Sequence, residues 1–167
     1  VTRPKVQAGP DAITMYDLVR AALRSRPHGL IIGEARGPEA WELIRAAATG
    51  HGHSAFTIHA TGAEHVWERF LQIVRAHEEV KGYSELDIAK NFAAAVTAIA
   101  HIGRSPIHGQ IMTEIVEVSP IVERSANRPT FSPIFRFDPD KNRLVPTGNR
   151  PMRKGFQAQD LGLPEAY

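Results

Sequence analysis

Residues 30–37 read Leu-Ile-Ile-Gly-Glu-Ala-Arg-Gly. An apolar run flanked by Gly29 and Gly33 predicts a short strand buried on both faces, the habit of parallel sheets. Glu34 stands just past its end. Residues 49–60 read Thr-Gly-His-Gly-His-Ser-Ala-Phe-Thr-Ile-His-Ala, and 53–59 predict a second strand. Side chains alternate along a strand, so Ala55, Thr57 and His59 share one face and Ser54, Phe56 and Ile58 the other. Ligands of parallel sheets collect beyond the carboxyl ends of the strands. If these two strands are neighbours, Glu34 and His59 point into one crevice.

Helices are expected around this pair. Thr14 with Asp17 reads as a capping box, and Met15, Leu18, Val19, Ala22 and Leu23 give the helix after it an apolar face that ends before Pro27. Gly37-Pro38 opens a second helix with Trp41, Ile44 and Ala48 on one side and Gly50 as its stop. Thr61 with Glu64 reads as a capping box for a helix to about residue 77, lined by Val66, Phe70, Ile73 and Val74. Ser84 with Asp87 starts another, carrying Ile88, Phe92 and Ala95.

Strands follow at 96–102 and 111–118, then at 131–137, where Pro133 predicts an edge position. Residues 138–142 read as a turn. From 147 no period is visible, which suggests a mobile or interface segment. The expected class is therefore α/β. Residues 1–80 form a parallel-sheet core portion that opens with a loop or short edge strand over 1–13. Residues 81–146 form a portion with a helical segment and antiparallel strands, and 147–167 an irregular tail.

At 167 residues and 43% hydrophobic, the chain can bury a core, as one ordinary domain or part of a larger one. Its 20 basic and 18 acidic residues nearly balance, which argues against direct nucleic-acid binding. Having no cysteine, it has neither disulfides nor thiolate metal ligands. No apolar run reaches the roughly 18 residues of a membrane span, and the polar start is unlike a signal peptide. The first residue is Val, so the chain reads as a fragment.

A carboxylate at the end of an apolar strand can hold Mg²⁺ through water or orient an attacking water in ATP-hydrolysing folds. Histidine beside it can donate to a γ-phosphate. Arg36 suits phosphate or Glu34 itself. A zinc set of His51, His53 and His59 is the rival reading. For His28, His65, His77, His101 and His108 surface or core roles are the default; Trp41 and Trp67 read as core, and Arg150–Lys154 as a solvated face.

Taken in order, Met15–Pro27, Leu30–Ala40, and Thr49-Gly-His with Thr57-Ile-His-Ala60 resemble the type II/type IV secretion ATPases over about residues 12–118. These are hexameric traffic motors of secretion, conjugation and pilus assembly, and the branch serving tight-adherence pili is the most similar. The resemblance implies a RecA-like P-loop NTPase fold, with Leu30–Arg36 as its Walker B segment. Glu34 would be catalytic, acting on water-bound Mg²⁺ or the attacking water, with His51 and His59 as the histidines of the family's His box. Gly33, Arg36 and Thr57 would serve the nucleotide. Arg24 and Arg26 would bridge to a neighbouring subunit or to Glu34. His28 replaces the usual aspartate, and His53 a small residue.

The phosphate loop Gly-x-x-x-x-Gly-Lys-Ser/Thr, with the Asp box that follows it, is missing from the sequence. The expectation is thus the C-terminal part of a longer motor, inactive toward ATP by itself. The whole protein would use ATP and Mg²⁺ and assemble as a homo-hexamer on an inner-membrane platform protein, at the cytoplasmic side of that membrane. A non-catalytic assembly module of such a motor is the alternative.

Overall fold

The computed structural model describes residues 12–48 and 53–153, which fall into two compact units. In the first unit, α1 (Met15–Arg24) begins with the expected box: the Thr14 hydroxyl accepts from the Asp17 N–H at 3.2 Å, and the Asp17 carboxylate accepts from the Thr14 N–H at 3.0 Å. β1 (Ile31–Ile32) pairs in parallel with β2 (Ala55–Phe56), Ile31 opposite Ala55 and Ile32 opposite Phe56. Between them in sequence lies α2 (Glu39–Ala48). Val19, Ile32 and Leu43 form a buried cluster, with Met15, Leu23, Leu30 and Phe56 packed on it.

Burial on both faces does not hold for β1. Ile32 is buried but Ile31 is 86% exposed. The helices supply Val19 and Leu43 to one face only. The β2 stretch alternates as expected, with Ala55, Thr57 and His59 exposed and Ser54, Phe56 and Ile58 half-buried, though only Ala55–Phe56 pair as strand.

Close approach of the two strands requires Gly29. A Cβ there would lie 1.9 Å from the His53 carbonyl oxygen, whereas one at Gly33 would meet nothing within 4 Å.

α3 (Val66–Val74) buries Val66, Phe70, Ile73 and Val74, the expected face. Its entry differs from the expected box. A 3₁₀ turn over Ala63–His65 comes first, capped by Gly62 without a side-chain bond, and the Thr61 hydroxyl lies 3.1 Å from His65 Nδ1 instead. A second 3₁₀ turn, Glu78–Gly82, starts at buried His77, whose Nδ1 accepts from the Glu79 N–H and whose Nε2 lies 3.4 Å from Glu42. Trp41 is buried in this unit, its ring edge-on to Tyr83 at 5.4 Å.

In the second unit, α4 (Glu85–Ala95) packs on a four-stranded antiparallel sheet through Ile88, Ala89, Phe92 and Ala93. Its strands are β3 (Ala98–Ser105), β4 (Gly109–Glu123), β5 (Arg128–Asp138) and β6 (Arg143–Pro146), in that spatial order. Trp67 is also buried, edge-on to Phe92.

Pro133 therefore lies on an inner strand, but outside the pairing of β5 with β6, which runs over Phe135–Asp138. It is tolerated because the β4–β5 register slips there: Ile115 faces Phe135 but Val116 faces Pro133. Asn127 and Asn142 take the left-handed conformation that short turns need.

Of the stretch expected to be a solvated face, Arg150 and Met152 are exposed and Arg153 is half-buried, while Lys154 lies outside the described residues. The Glu117 carboxylate, 1% exposed, accepts from the Met152 N–H at 2.9 Å and the Arg153 N–H at 2.7 Å. The Arg153 guanidinium donates to the carbonyls of Val118, Val96 and Ala93. This draws the segment after β6 onto the end of α4. Among the described residues no helix is long and apolar enough to cross a membrane.

Two substitutions check these constraints. Gly29→Ala should lower unfolding stability in urea by about 1–3 kcal/mol, as overpacking does, while Gly33→Ala stays close to wild type. Equal midpoints for the two would contradict the close approach. Glu117→Ala should lose about 3 kcal/mol, because it strands buried donors; a loss under about 1 kcal/mol would show that the 152–153 segment is held by something else.

Candidate functional site

Two hydrogen bonds fix the backbone on either side of Glu34. The Ala35 N–H donates to the Thr57 carbonyl at 2.9 Å, and the Thr57 hydroxyl donates to the Gly33 carbonyl at 2.5 Å. On the strand side, the Ala55 N–H donates to the Leu30 carbonyl and the Leu30 N–H to the Ser54 hydroxyl. The segment after β2 is thus stitched to the segment after β1, and His59 arrives beside Glu34.

Glu34 Oε1 lies 3.1 Å from His59 Nε2, and Oε2 lies 2.5 Å from an Arg36 guanidinium nitrogen. The carboxylate side chain is 25% exposed, against 74% for Arg36 and 86% for His59. Both of its oxygens therefore face cationic or potentially cationic groups that are themselves open to solvent.

The Arg36 hydrogen bond is the main reason the Glu34 carboxyl is held below the usual glutamate range. Partial desolvation opposes it, and the charges of Arg36, His59 and Arg69 add to it. Reciprocally, Glu34 raises the Arg36 guanidinium above its ordinary value.

Sequence reasoning missed Glu39, the first residue of α2. It is 5% exposed, and its Oε1 accepts from the N–H groups of Arg36 at 2.8 Å and Gly37 at 2.9 Å. The available signal was its spacing: a carboxylate three residues past Arg36 at a helix start can reach back to the leading amides.

The structure brings together Gly33, Glu34, Arg36, Thr57 and His59. Arg24 and Arg26 are exposed at the end of α1, and the ion pairs of Glu34 are with Arg36 and His59 rather than with them. His28 and His53 are exposed. His51 lies outside the described residues. Among those described, no three His, Cys, Asp or Glu side chains are grouped to hold a metal, so the zinc reading gains no support from them.

The arrangement offers one anionic oxygen pair at a strand end, two groups able to donate to an anion, and a hydroxyl spent on the backbone. Such a set can polarise a water or meet a phosphate, and among the described residues it supplies a single carboxylate.

Comparison with known proteins extends this picture. A family model described as "Type II/IV secretion system protein" matches residues 5–110. An uncharacterized protein of Methanocaldococcus jannaschii is 32% identical over 154 residues, covering 92% of this chain and 53% of that protein. A putative conjugal transfer protein of Mycobacterium tuberculosis is 34% identical over 107 residues, covering 64% of this chain and 29% of the other. Among solved structures, the VirB11 ATPase from the Brucella suis type IV secretion system, in complex with sulphate, matches with a TM-score of 0.60 and 27% identity, over 63% of this chain and 32% of that one. The chain spans about half the length of the first of these proteins and a third or less of the other two.

The site's electrostatics give a titration test. Glu34 should titrate below the ordinary glutamate value of about 4.3, and Arg36→Ala should move it upward, read by carboxyl carbon NMR. Because the folded-state value is the depressed one, the stabilisation it contributes is complete above the ordinary value. It is lost as pH falls through the folded one. A Glu34 titration unmoved by Arg36→Ala would remove the ion pair as its cause.

Proposed function

Because the chain belongs to the type II/IV secretion system protein family, we propose that it is the C-terminal, RecA-like portion of an ATP-driven motor for secretion or pilus assembly. The observation that carries this is the carboxylate of Glu34 just past β1, met at 3.1 Å by His59 from the segment after the parallel neighbour β2.

In this reading Glu34 orients the attacking water or takes water-bound Mg²⁺. The donor set fits that ion: Mg²⁺ is held through one or two carboxylates with water and phosphate oxygens, and Glu34 offers one carboxylate with no surrounding protein cage among the described residues. Bound with ATP, the ion would neutralise charge on the phosphates.

His59 donates from the rim and, with His51, links loss of the γ-phosphate to movement between subunits. Arg36 is placed to trade Glu34 for phosphate, and Gly33 keeps the approach clear of a side chain. Thr57 acts through the backbone it anchors. Arg24 and Arg26, both exposed, are available to a neighbouring subunit. The partners are sister subunits of a homo-hexamer and a platform protein of the inner membrane, on its cytoplasmic face.

The 167 residues contain no phosphate loop to cradle a triphosphate, so hydrolysis belongs to the whole motor. There, Glu34→Gln should reduce steady-state ATP turnover by about 100-fold or more with assembly intact. A wild-type motor that assembles but turns over no ATP would replace this reading with that of a non-catalytic assembly module.

A further inference from the structure

Glu39 is a buried carboxyl group with no charged partner in the described ion pairs. Its Oε1 is engaged by two consecutive peptide N–H groups, those of Arg36 and Gly37. Both precede the first hydrogen-bonded turn of α2, in which the Ala40 N–H donates to the Gly37 carbonyl and the Trp41 N–H to the Pro38 carbonyl. Without Glu39 those two leading amides lack an acceptor from the helix.

The bond to the Arg36 N–H sets where the Arg36 side chain starts. Arg36 is mostly exposed, so packing does not aim it; its backbone does. One residue earlier, Ala35 is buried and bonded to Thr57, and that anchor also places Glu34 just before it. Hence the turn 34–37 is fixed at one end by Thr57 and at the other by Glu39, and the Glu34–Arg36 pair forms across it. A second observation points the same way. A Cβ on Gly37 would lie 2.9 Å from Glu39 Oε2, so the carboxyl group fills the space a side chain there would need.

We propose that Glu39 is a positioning residue for the reaction at Glu34: by bonding the amides of Arg36 and Gly37 it fixes the turn that aims Arg36 at the Glu34 carboxylate. The inference rests on the motor reading above and adds to it a group that touches neither nucleotide nor water. The groups facing Glu34 are Arg36 on the turn, His59 beyond β2 and Arg69 on α3. Only the first depends on Glu39.

The test uses the whole motor with Glu39→Ala, Glu39→Gln and Gly37→Ala beside wild type and Glu34→Gln. Hydrogen exchange read by mass spectrometry on a peptide spanning 34–41 reports the brace. Glu39→Ala should exchange the amides of Arg36 and Gly37 about tenfold faster or more, and Glu39→Gln, which keeps an acceptor oxygen, should restore protection.

In steady state Glu39→Ala should lower kcat by about 10- to 100-fold with the KM for ATP within about twofold. Glu39→Gln should recover kcat. Gly37→Ala, which crowds the carboxyl without leaving a cavity, should show the same pattern more weakly and guards against misfolding of the alanine variant.

Unchanged exchange in Glu39→Ala would overturn the brace. Faster exchange with unchanged kcat, in a motor where Glu34→Gln is inactive, would overturn the positioning role and leave the motor reading standing. A wild-type motor without turnover would remove the motor reading and this inference with it.

Discussion

The Thr57 hydroxyl on the Gly33 carbonyl and the Ala35 N–H on the Thr57 carbonyl hold the ends of β1 and β2 together where both strands have stopped pairing as strands. Everything chemical in the first unit depends on that stitch. The parallel ladder itself is only two residues long on each strand. Ladders so short contribute little alone, and they survive here because one face rests on Val19 and Leu43. A residue placed one position further along either strand would carry its side chain to the opposite face. The stitch therefore does more than add two hydrogen bonds: it selects the register in which Glu34 and His59 meet.

Charge is distributed across this site by exposure. Glu34 is the least exposed member, and it carries the negative charge; Arg36 and His59 reach it from solvent. Pairs with such exposed partners are weak and screened by salt. The weakness suits the proposed role, in which Arg36 exchanges Glu34 for phosphate. A guanidinium locked in a dry pocket would hold the carboxylate in a state that no phosphate could compete for. The depressed titration of Glu34 follows from the same pair. It means the carboxylate is ionised at neutral pH, as either a water-orienting or a metal-facing role needs.

Much of this was legible in the sequence. The apolar run ending in Gly33-Glu34 and the alternation from Ser54 to His59 put the carboxylate and the histidine in one crevice on the condition that the two strands are neighbours, which the β1–β2 pairing meets. The Thr14–Asp17 box was equally readable because capping is local. What failed was non-local. The exposure of Ile31 depends on what covers each face, which an apolar run does not report. Pro133 misled because the general exclusion of proline from inner strands yields wherever a register slip removes the need for its N–H. Thr61 and Glu64 had the spacing of a box, yet the Thr61 hydroxyl found His65 instead. Arg153 looked solvated since its acceptors, the carbonyls of Ala93, Val96 and Val118, come from distant segments.

Three glutamates in the structure show how one side chain serves opposite ends. Glu39 and Glu117 are buried and bonded to peptide N–H groups. Such donors are part of the chain and cannot swing away, and a buried acceptor is costly to strand. Both therefore act as fasteners, one on the turn after β1 and the other on the segment after β6. Glu34 is only partly buried and meets side-chain cations. Those donors rotate freely into solvent, so its partners can be exchanged at small cost. Chemistry that demands a change of partner within each cycle belongs on the third kind of glutamate, and the rigidity that makes the change reproducible belongs on the first two.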